Sequence, residues 1–212
     1  MVITGAGSAF SAGGDRAFLE ELPAMPPARI REVVYGTFQR VPRAIRSMDK
    51  PVVAAVNGAA VGAGCEITVA CDFRIASSLT RFGEVWINLG CVPALGGMFL
   101  LPRIVGLVKA TELVMTCEII DAAEALRIGL VNKVVMPPEL PRAAFELAQR
   151  LARGPARALA AAKTALNRGL DSTFLAELEA TLEQQTACFA TRDFAEGVEA
   201  LAAKRPPRFT SA

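Results

Sequence analysis

The sequence predicts an α/β protein in which a core of alternating strands and helices precedes a C-terminal region made largely of helices. Two observations support this class. Short apolar runs closed by glycine alternate with helical patterns in the first half of the chain, and helical periodicity dominates after residue 103. Alternation of this kind is typical of a mainly parallel sheet. With 212 residues, the chain is long enough to bury one sizeable core.

Four short segments supply the predicted strands. Residues 2–3 open an apolar run that ends in a glycine-containing turn, which predicts a strand entering a loop. Residues 51–56 (PVVAAV) form a continuous apolar run closed by Asn57-Gly58, as expected for a strand buried on both faces. Residues 73–76 and 131–135 predict two further strands.

The helices and loops follow from spacing and glycine content. Apolar residues recur at helical spacing over 29–48, which predicts an amphipathic helix with a kink at Pro42. Residues 8–15 (SAFSAGGD) predict a tight loop, and residues 59–64 predict a second loop that leads into a buried helix over 65–71. The remaining predicted helices span 107–115, 122–128, 140–152, 155–168 and 172–190.

Composition argues against several classes of partner. The net charge of +2 comes from interspersed basic and acidic residues, which predicts neither nucleic-acid binding nor membrane binding. The richest apolar stretch, residues 89–102, is shorter than the roughly 20 residues that span a bilayer. The first residues lack the basic and apolar regions of a secretory signal. Five cysteines without a C-x-x-C pair indicate reduced thiols and a cytoplasmic location.

The chain contains no histidine. This absence removes Ser-His and Cys-His nucleophile systems, and it removes the imidazole ligands of most transition-metal sites. No metal site is predicted. Any chemistry must therefore come from carboxylates, backbone amides or a cofactor.

Two glycine-rich loops, each after an apolar run, are the first candidates for a site. The second opens into a presumed helix, and the free N–H groups at a helix N-terminus can hold an oxyanion or a polarised carbonyl. Neither loop matches the phosphate-binding G-x-x-x-x-G-K-[ST] pattern or the dinucleotide-binding G-x-G-x-x-G pattern. Close packing of helix on sheet would also explain these glycines.

Glu66 is the candidate acid/base residue. It lies in an almost wholly apolar stretch between Val52 and Cys71, where burial would raise the pKa of its carboxyl towards the range useful for proton transfer. An ion pair with a residue such as Arg74, or exposure to water, is the alternative explanation.

Three stretches in order carry a family resemblance. They read TGAGSAFSAGGD, KPVVAAVNGAAVGAGCEITVACDFRIAS and FGEVWINLGCVPALGGMFLLPRIVG, and the ending RDFAEGVEALAAKRPPRF extends the similarity over essentially the whole chain. Together they resemble the enoyl-CoA hydratase/isomerase (crotonase) superfamily. The resemblance implies a crotonase-like ββα spiral core over residues 1–136 and a helical trimerisation subdomain over residues 137–212.

The same resemblance implies an acyl-CoA thioester substrate and a set of site residues. Its two oxyanion-binding N–H groups fall on Gly14 and Ala63, and its first catalytic glutamate falls on Glu66. The implied substrate-binding residues are Ala12, Gly13, Asp15, Arg16, Gly62, Val85, Trp86, Ala94 and Lys204. No cofactor is expected beyond the coenzyme A of the substrate, and a homotrimer or homohexamer is implied.

One position departs from the family pattern. The second glutamate of the hydratases falls on Trp86, whose indole N–H can donate but cannot accept a proton. Trp86 could shape a pocket for a bulky acyl group with Glu66 as the sole acid/base, or it could be core filling in a protein that binds acyl-CoA without turnover. A dehalogenase is disfavoured because its nucleophilic aspartate would fall on Ala94. Glu84 could replace the lost carboxylate.

A second departure concerns the start of the chain. Members of the superfamily carry a further strand and helix segment, with basic contacts to coenzyme A, ahead of TGAG. This predicts a misplaced start or a truncated relative. The expected function is an acyl-CoA enzyme of the hydratase/isomerase type, with a non-catalytic acyl-CoA-binding homologue as the alternative.

Overall fold

A computed structural model describes residues 1–210 of the protein. It contains eight strands, most of them only three residues long. Their bounds are β1 (Val2–Thr4), β2 (Ala9–Ser11), β3 (Val53–Val56), β4 (Ala59–Val61), β5 (Phe73–Ser77), β6 (Arg81–Gly83), β7 (Ile119–Asp121) and β8 (Lys133–Val135).

Eleven α-helices, a π-helical segment and three 3₁₀ turns join and follow these strands. The irregular segments are Leu22–Ala24, Val34–Phe38, Val85–Leu89 and Pro137–Glu139. The α-helices are α1 (Arg16–Glu21), α2 (Pro27–Val33), α3 (Arg40–Ser47), α4 (Ala63–Ala70), α5 (Gly97–Val105), α6 (Leu107–Thr116), α7 (Ala122–Arg127), α8 (Leu140–Ala152), α9 (Ala156–Arg168), α10 (Phe174–Phe189) and α11 (Arg192–Ala202).

The strands form two four-stranded sheets, and successive strands alternate between them except that β6 and β7 lie in the same sheet. One sheet has the order β1-β3-β5-β8 and is parallel throughout. The other has the order β2-β4-β6-β7, with only the last pair antiparallel. Because each step of the chain places one strand in each sheet, the core is a spiral of ββα units. The predicted α/β class with a helical C-terminal part is confirmed.

The apolar run over 51–56 forms the centre of the core, as predicted. All four residues of β3 are buried, and β3 pairs with β1 on one side and β5 on the other. Helix α4 follows within the same core and buries most of its length, including Gly64, Cys65 and Val69. The sequence analysis placed these elements correctly because a strand and a helix buried on all sides must be apolar throughout.

The two predicted glycine-rich loops each contain a strand, so that part of the prediction was wrong. Strand β2 lies within residues 8–15, and β4 occupies the first half of residues 59–64. Strands β6 and β7 were also missed. Each is three residues long, which is too short for a period-two pattern to be recognised, and each is stabilised by pairing with distant strands.

The helical run over 29–48 is interrupted at residues 34–38 and not at the predicted position, Pro42. At Val34–Phe38 the backbone forms a π-helical turn, and the N–H of Gln39 donates to the carbonyl of Val34 at 2.9 Å. Pro42 lies in the first turn of α3, where a missing N–H breaks no helical hydrogen bond. Proline is therefore tolerated there without bending the helix.

The chain divides into two compact units. One unit comprises Val2–Arg46 and Val52–Phe145 and contains both sheets. The other comprises Met1, Ser47–Pro51 and the chain from Glu146 onward. In the second unit, Arg168 of α9 forms a bidentate ion pair with Glu177 of α10 at 2.7 and 2.8 Å. No helix within residues 1–210 is long and apolar enough to cross a membrane.

Candidate active site

Helix α4, which carries the candidate residues Ala63 and Glu66, begins at a glycine held in an unusual conformation. Gly62 has φ 54° and ψ −122°, a region that side-chain-bearing residues rarely adopt. Its N–H donates to the carbonyl of Gly83 at 2.8 Å, which ties the end of β4 to β6. Ala63 is then the first residue of α4, so its N–H has no acceptor one turn earlier in the helix.

The loop after β2 lies directly against this helix start. Gly13 also has a positive φ, 95°, and a Cβ on Gly13 would lie 2.9 Å from the Val61 oxygen and 3.4 Å from the Ala63 nitrogen. Only glycine fits this approach. The structure thus brings the two predicted loops together, with Gly14 beside the opening of α4. Among residues 1–210, neither the Gly14 nor the Ala63 N–H has a hydrogen-bond acceptor within the protein.

Glu66 lies on the same side of α4 as Ala63, because residues three apart in a helix are neighbours. It is only 1% exposed. Its Oε1 accepts hydrogen bonds from the Leu95 N–H at 2.9 Å and the Gly97 N–H at 2.7 Å. Its Oε2 has no partner. Burial raises the pKa of the Glu66 carboxyl, and the donated backbone hydrogen bonds oppose that rise.

The alternative pairing of Glu66 with Arg74 is wrong. The Arg74 guanidinium donates to four carbonyl oxygens, those of Leu130 at 2.7 Å, Thr68 at 3.1 Å, Val69 at 3.5 Å and Cys71 at 2.6 Å. It therefore caps the C-terminal end of α4, whereas Glu66 lies in the first turn. Among the described residues, Glu66 takes part in no ion pair, so its raised pKa is not offset by a cation.

Glu84 is a second buried carboxyl beside this site. It lies between β6 and the Val85–Leu89 turn and is 2% exposed. Its Oε2 accepts a hydrogen bond from the Trp86 indole N–H at 3.1 Å, while its Oε1 has no partner. Burial first, and then the negative charge of Glu66, raise the pKa of Glu84 to about 8. The Cys65 thiol also lies beside it, and burial and the two carboxylates raise the pKa of that thiol.

Trp86 is half-buried, and its ring covers the start of α4. A Cβ on Gly62 would lie 3.8 and 3.9 Å from two ring carbons of Trp86 and 3.9 Å from a methyl of Val85. The side chain that occupies the family's second glutamate position is therefore in the site and bonded to a neighbouring carboxylate.

The other predicted substrate-binding residues lie at or near the surface. Asp15 caps α1 by accepting from the Phe18 N–H at 3.1 Å, and Arg16 forms an exposed ion pair with Glu20. The backbone carbonyl of Ala94 accepts from the Gln39 side chain at 2.7 Å. Ala12 is exposed next to the first loop. Lys204 is exposed in the helical unit and has a positive φ, 53°.

A spiral of ββα units that holds two free amides near a desolvated carboxyl is the arrangement expected of a crotonase-like enzyme fold. The comparisons with known proteins agree with this class. The family model described as enoyl-CoA hydratase/isomerase matches residues 1–212, and the chain belongs to that family. The predicted family and the predicted general type of acyl-CoA enzyme are confirmed.

Three relatives illustrate the range of similarity. The chain is 43% identical over 213 residues to a crotonyl-CoA hydratase of Syntrophomonas wolfei, covering 100% of this chain and 80% of the relative. It is 36% identical to a trans-2-decenoyl-acyl-carrier-protein isomerase of Streptococcus mutans, covering 99% and 80% of the two chains. The crystal structure of an enoyl-CoA hydratase from a Polaromonas species superposes with a TM-score of 0.93 at 33% identity. The match covers 98% of this chain and 80% of that structure's chain.

Proposed function

We propose that the protein hydrates or isomerises an enoyl-CoA thioester through an enolate, with Gly14 and Ala63 binding the thioester oxygen and Glu66 moving a proton. The observation that carries this proposal is the grouping of free amides and a buried acid. The Ala63 N–H and the Glu66 carboxyl lie on one turn of α4, and the close approach of Gly13 places the first loop against the start of that helix. No other carboxyl lies on that helix.

The geometry suits a reaction in which negative charge develops on a carbonyl oxygen. Two N–H donors that are already oriented need no reorganisation as the enolate forms, and the loss of one such donor typically costs about 3 kcal/mol of transition-state stabilisation. The two backbone donors fix Glu66 Oε1, so Oε2 is the oxygen that exchanges a proton. The raised pKa of Glu66 brings its carboxyl closer to the range useful for giving and taking a proton.

The first test measures turnover directly. Purified protein is incubated in deuterium oxide with a 2-enoyl-CoA and, separately, with a 3-enoyl-CoA, and the products are identified by mass spectrometry. Hydration adds the mass of one molecule of deuterium oxide, whereas isomerisation adds no water and gives a positional isomer that is separated from the substrate by chromatography. Either product supports the proposal. Tight binding of the thioesters without any product would instead favour the non-catalytic acyl-CoA-binding homologue.

We also propose that the helical unit assembles copies of this chain into a trimer or hexamer. Helix α10 exposes Leu175, Leu178 and Leu182, which are 72%, 56% and 62% exposed, along one side. A contiguous apolar surface of this kind marks an interface in a water-soluble protein. The five cysteines form no disulfide within residues 1–210, which fits the reducing compartment proposed from composition.

Leu182→Arg is expected to break this assembly, because a buried unpaired guanidinium in an apolar interface is strongly unfavourable. Light scattering coupled to size-exclusion chromatography should show the wild type as an oligomer and the variant as a smaller species. The control is Glu183→Arg, which introduces the same side chain about 100° away around the helix. A monomeric wild type, or equal masses for wild type and Leu182→Arg, would contradict the proposed interface.

A further inference from the structure

We propose that Glu84 is the second proton-handling carboxyl of this site and that the indole N–H of Trp86 holds it in place. The inference rests on the proposed function and adds a residue to it. It also gives Trp86 a defined role: the tryptophan replaces the family's second glutamate and orients a carboxyl two positions earlier in the chain.

The hydrogen bonding of the two carboxyls is the first support. Each has one oxygen bonded to donors, which are the backbone N–H groups of Leu95 and Gly97 for Glu66 and the indole of Trp86 for Glu84. Each has one buried oxygen without a partner. Within residues 1–210, Glu66 Oε2 and Glu84 Oε1 are the buried side-chain polar atoms left unsatisfied. Buried polar groups are almost always bonded, so the unsatisfied oxygen on each of these two carboxyls indicates a place for a proton or a reacting group.

Charge is the second support. The groups that face Glu84 are Glu66, the Cys65 thiol and the Trp86 indole, and none of them is a cation. Arg74, the buried cation of this unit, is committed to carbonyl oxygens at the other end of α4. Two neighbouring buried carboxylates cannot both be ionised without a cation, so the pair holds a proton at neutral pH.

A pair that carries one proton has the ionisation state that hydration needs. Water oxygen bonds to the β-carbon of the enoyl thioester, the carboxylate takes one proton of that water, and the carboxylic acid gives its proton to the α-carbon. The carbon–carbon double bond is lost, and the pair ends with one proton as it began. A lone Glu66 would have to perform both transfers in sequence.

The test compares Glu84→Gln and Trp86→Phe with wild type by measuring kcat/KM for a 2-enoyl-CoA from pH 5 to 10. Glu84→Gln keeps the size of the side chain and an oxygen for the indole, and it is expected to lower kcat/KM by about 100-fold or more. The wild-type profile should fall above about pH 8, where the pair loses its proton. This fall should be absent in Glu84→Gln. Glu84→Asp should restore part of the activity and the falling limb.

Trp86→Phe keeps an aromatic ring over Gly62 but removes the N–H donor. The indole hydrogen bond lowers the pKa of Glu84, so its loss should move the falling limb to higher pH. A purely structural role for Trp86 would leave the limb in place.

The outcomes separate this inference from the proposed function. If wild type turns over and Glu84→Gln keeps its activity within about threefold with the same pH profile, Glu84 has no part in proton transfer, although the proposed function stands. If wild type converts no enoyl thioester, both proposals fall.

Discussion

Glu66→Gln is expected to lower kcat/KM for an enoyl-CoA thioester by about 100- to 10,000-fold, the usual contribution of a positioned acid/base group. The substitution tests the proton-transfer role specifically, because it leaves the local structure intact. A glutamine oxygen can still accept from the Leu95 and Gly97 N–H groups that hold Oε1. The backbone at residues 95–97 should therefore stay in place. What is lost is the oxygen that exchanges a proton. Steady-state kinetics on wild type and variant provide the measurement.

Thr68→Val is the matched control for this experiment. Thr68 lies on the same helix, is fully buried, and bonds the Cys65 carbonyl at 2.7 Å. Its replacement perturbs α4 about as much as Glu66→Gln without removing a proton-transfer group, and turnover should stay within about threefold of wild type. Undiminished turnover in Glu66→Gln, or an equal loss in Thr68→Val, would remove Glu66 from the proposed mechanism.

The parts of the fold that local pattern determines were predicted from sequence. Strand β3 and helix α4 are buried on all sides, and their uninterrupted apolar composition shows this directly. Strands β2 and β4 were mistaken for loops because they are short, contain alanine, which has weak strand propensity, and lie next to glycine-rich residues. Their geometry comes from pairing: β4 aligns with β2 on one side and β6 on the other. Pairing between distant segments leaves little trace in a three-residue stretch.

The same distinction applies to the candidate site. Glycines at 13 and 62 and the acid at 66 could be selected by composition and by family resemblance. The pairing of Glu84 with Trp86 could not, because it depends on a side-chain hydrogen bond between residues two apart in an irregular turn. A signal was present, however: an acidic residue flanked by Phe82, Gly83 and Val85 is unusual in an apolar segment. The catalytic roles of all these residues stay predictions.

Burial of the Glu84 carboxyl without a cation costs the folded protein stability. A carboxyl that is buried without a cation disfavours the folded state whenever the unfolded chain can ionise it. The protonation of Glu84 is therefore measurable without any substrate, through the pH dependence of unfolding.

Glu84→Gln is expected to stabilise the protein at neutral and alkaline pH but not at acid pH. The pKa of Glu84 is raised from 4.5 to about 8 in the folded protein, so the folded state binds this proton more tightly than the unfolded state. Its contribution to stability is fully present below pH 4.5, falls as the pH rises, and levels off above pH 8. At pH 7 the loss amounts to about 3 kcal/mol. The variant has no carboxyl at this position and should not show that loss.

Urea titrations of wild type and Glu84→Gln, at one fixed protein concentration, are run at pH 5 and at pH 8. They measure how the free energy of unfolding of each protein changes with pH. The free energy of unfolding should fall more steeply with pH for wild type than for Glu84→Gln. The exposed pair of Arg16 and Glu20 supplies the control, because Glu20→Gln removes a carboxylate that water already solvates, and its pH dependence should follow wild type. Parallel losses of stability in wild type and Glu84→Gln would show that Glu84 is ionised in the folded protein. A shared proton between Glu84 and Glu66 would then be ruled out on thermodynamic grounds, whatever the kinetics of the variants.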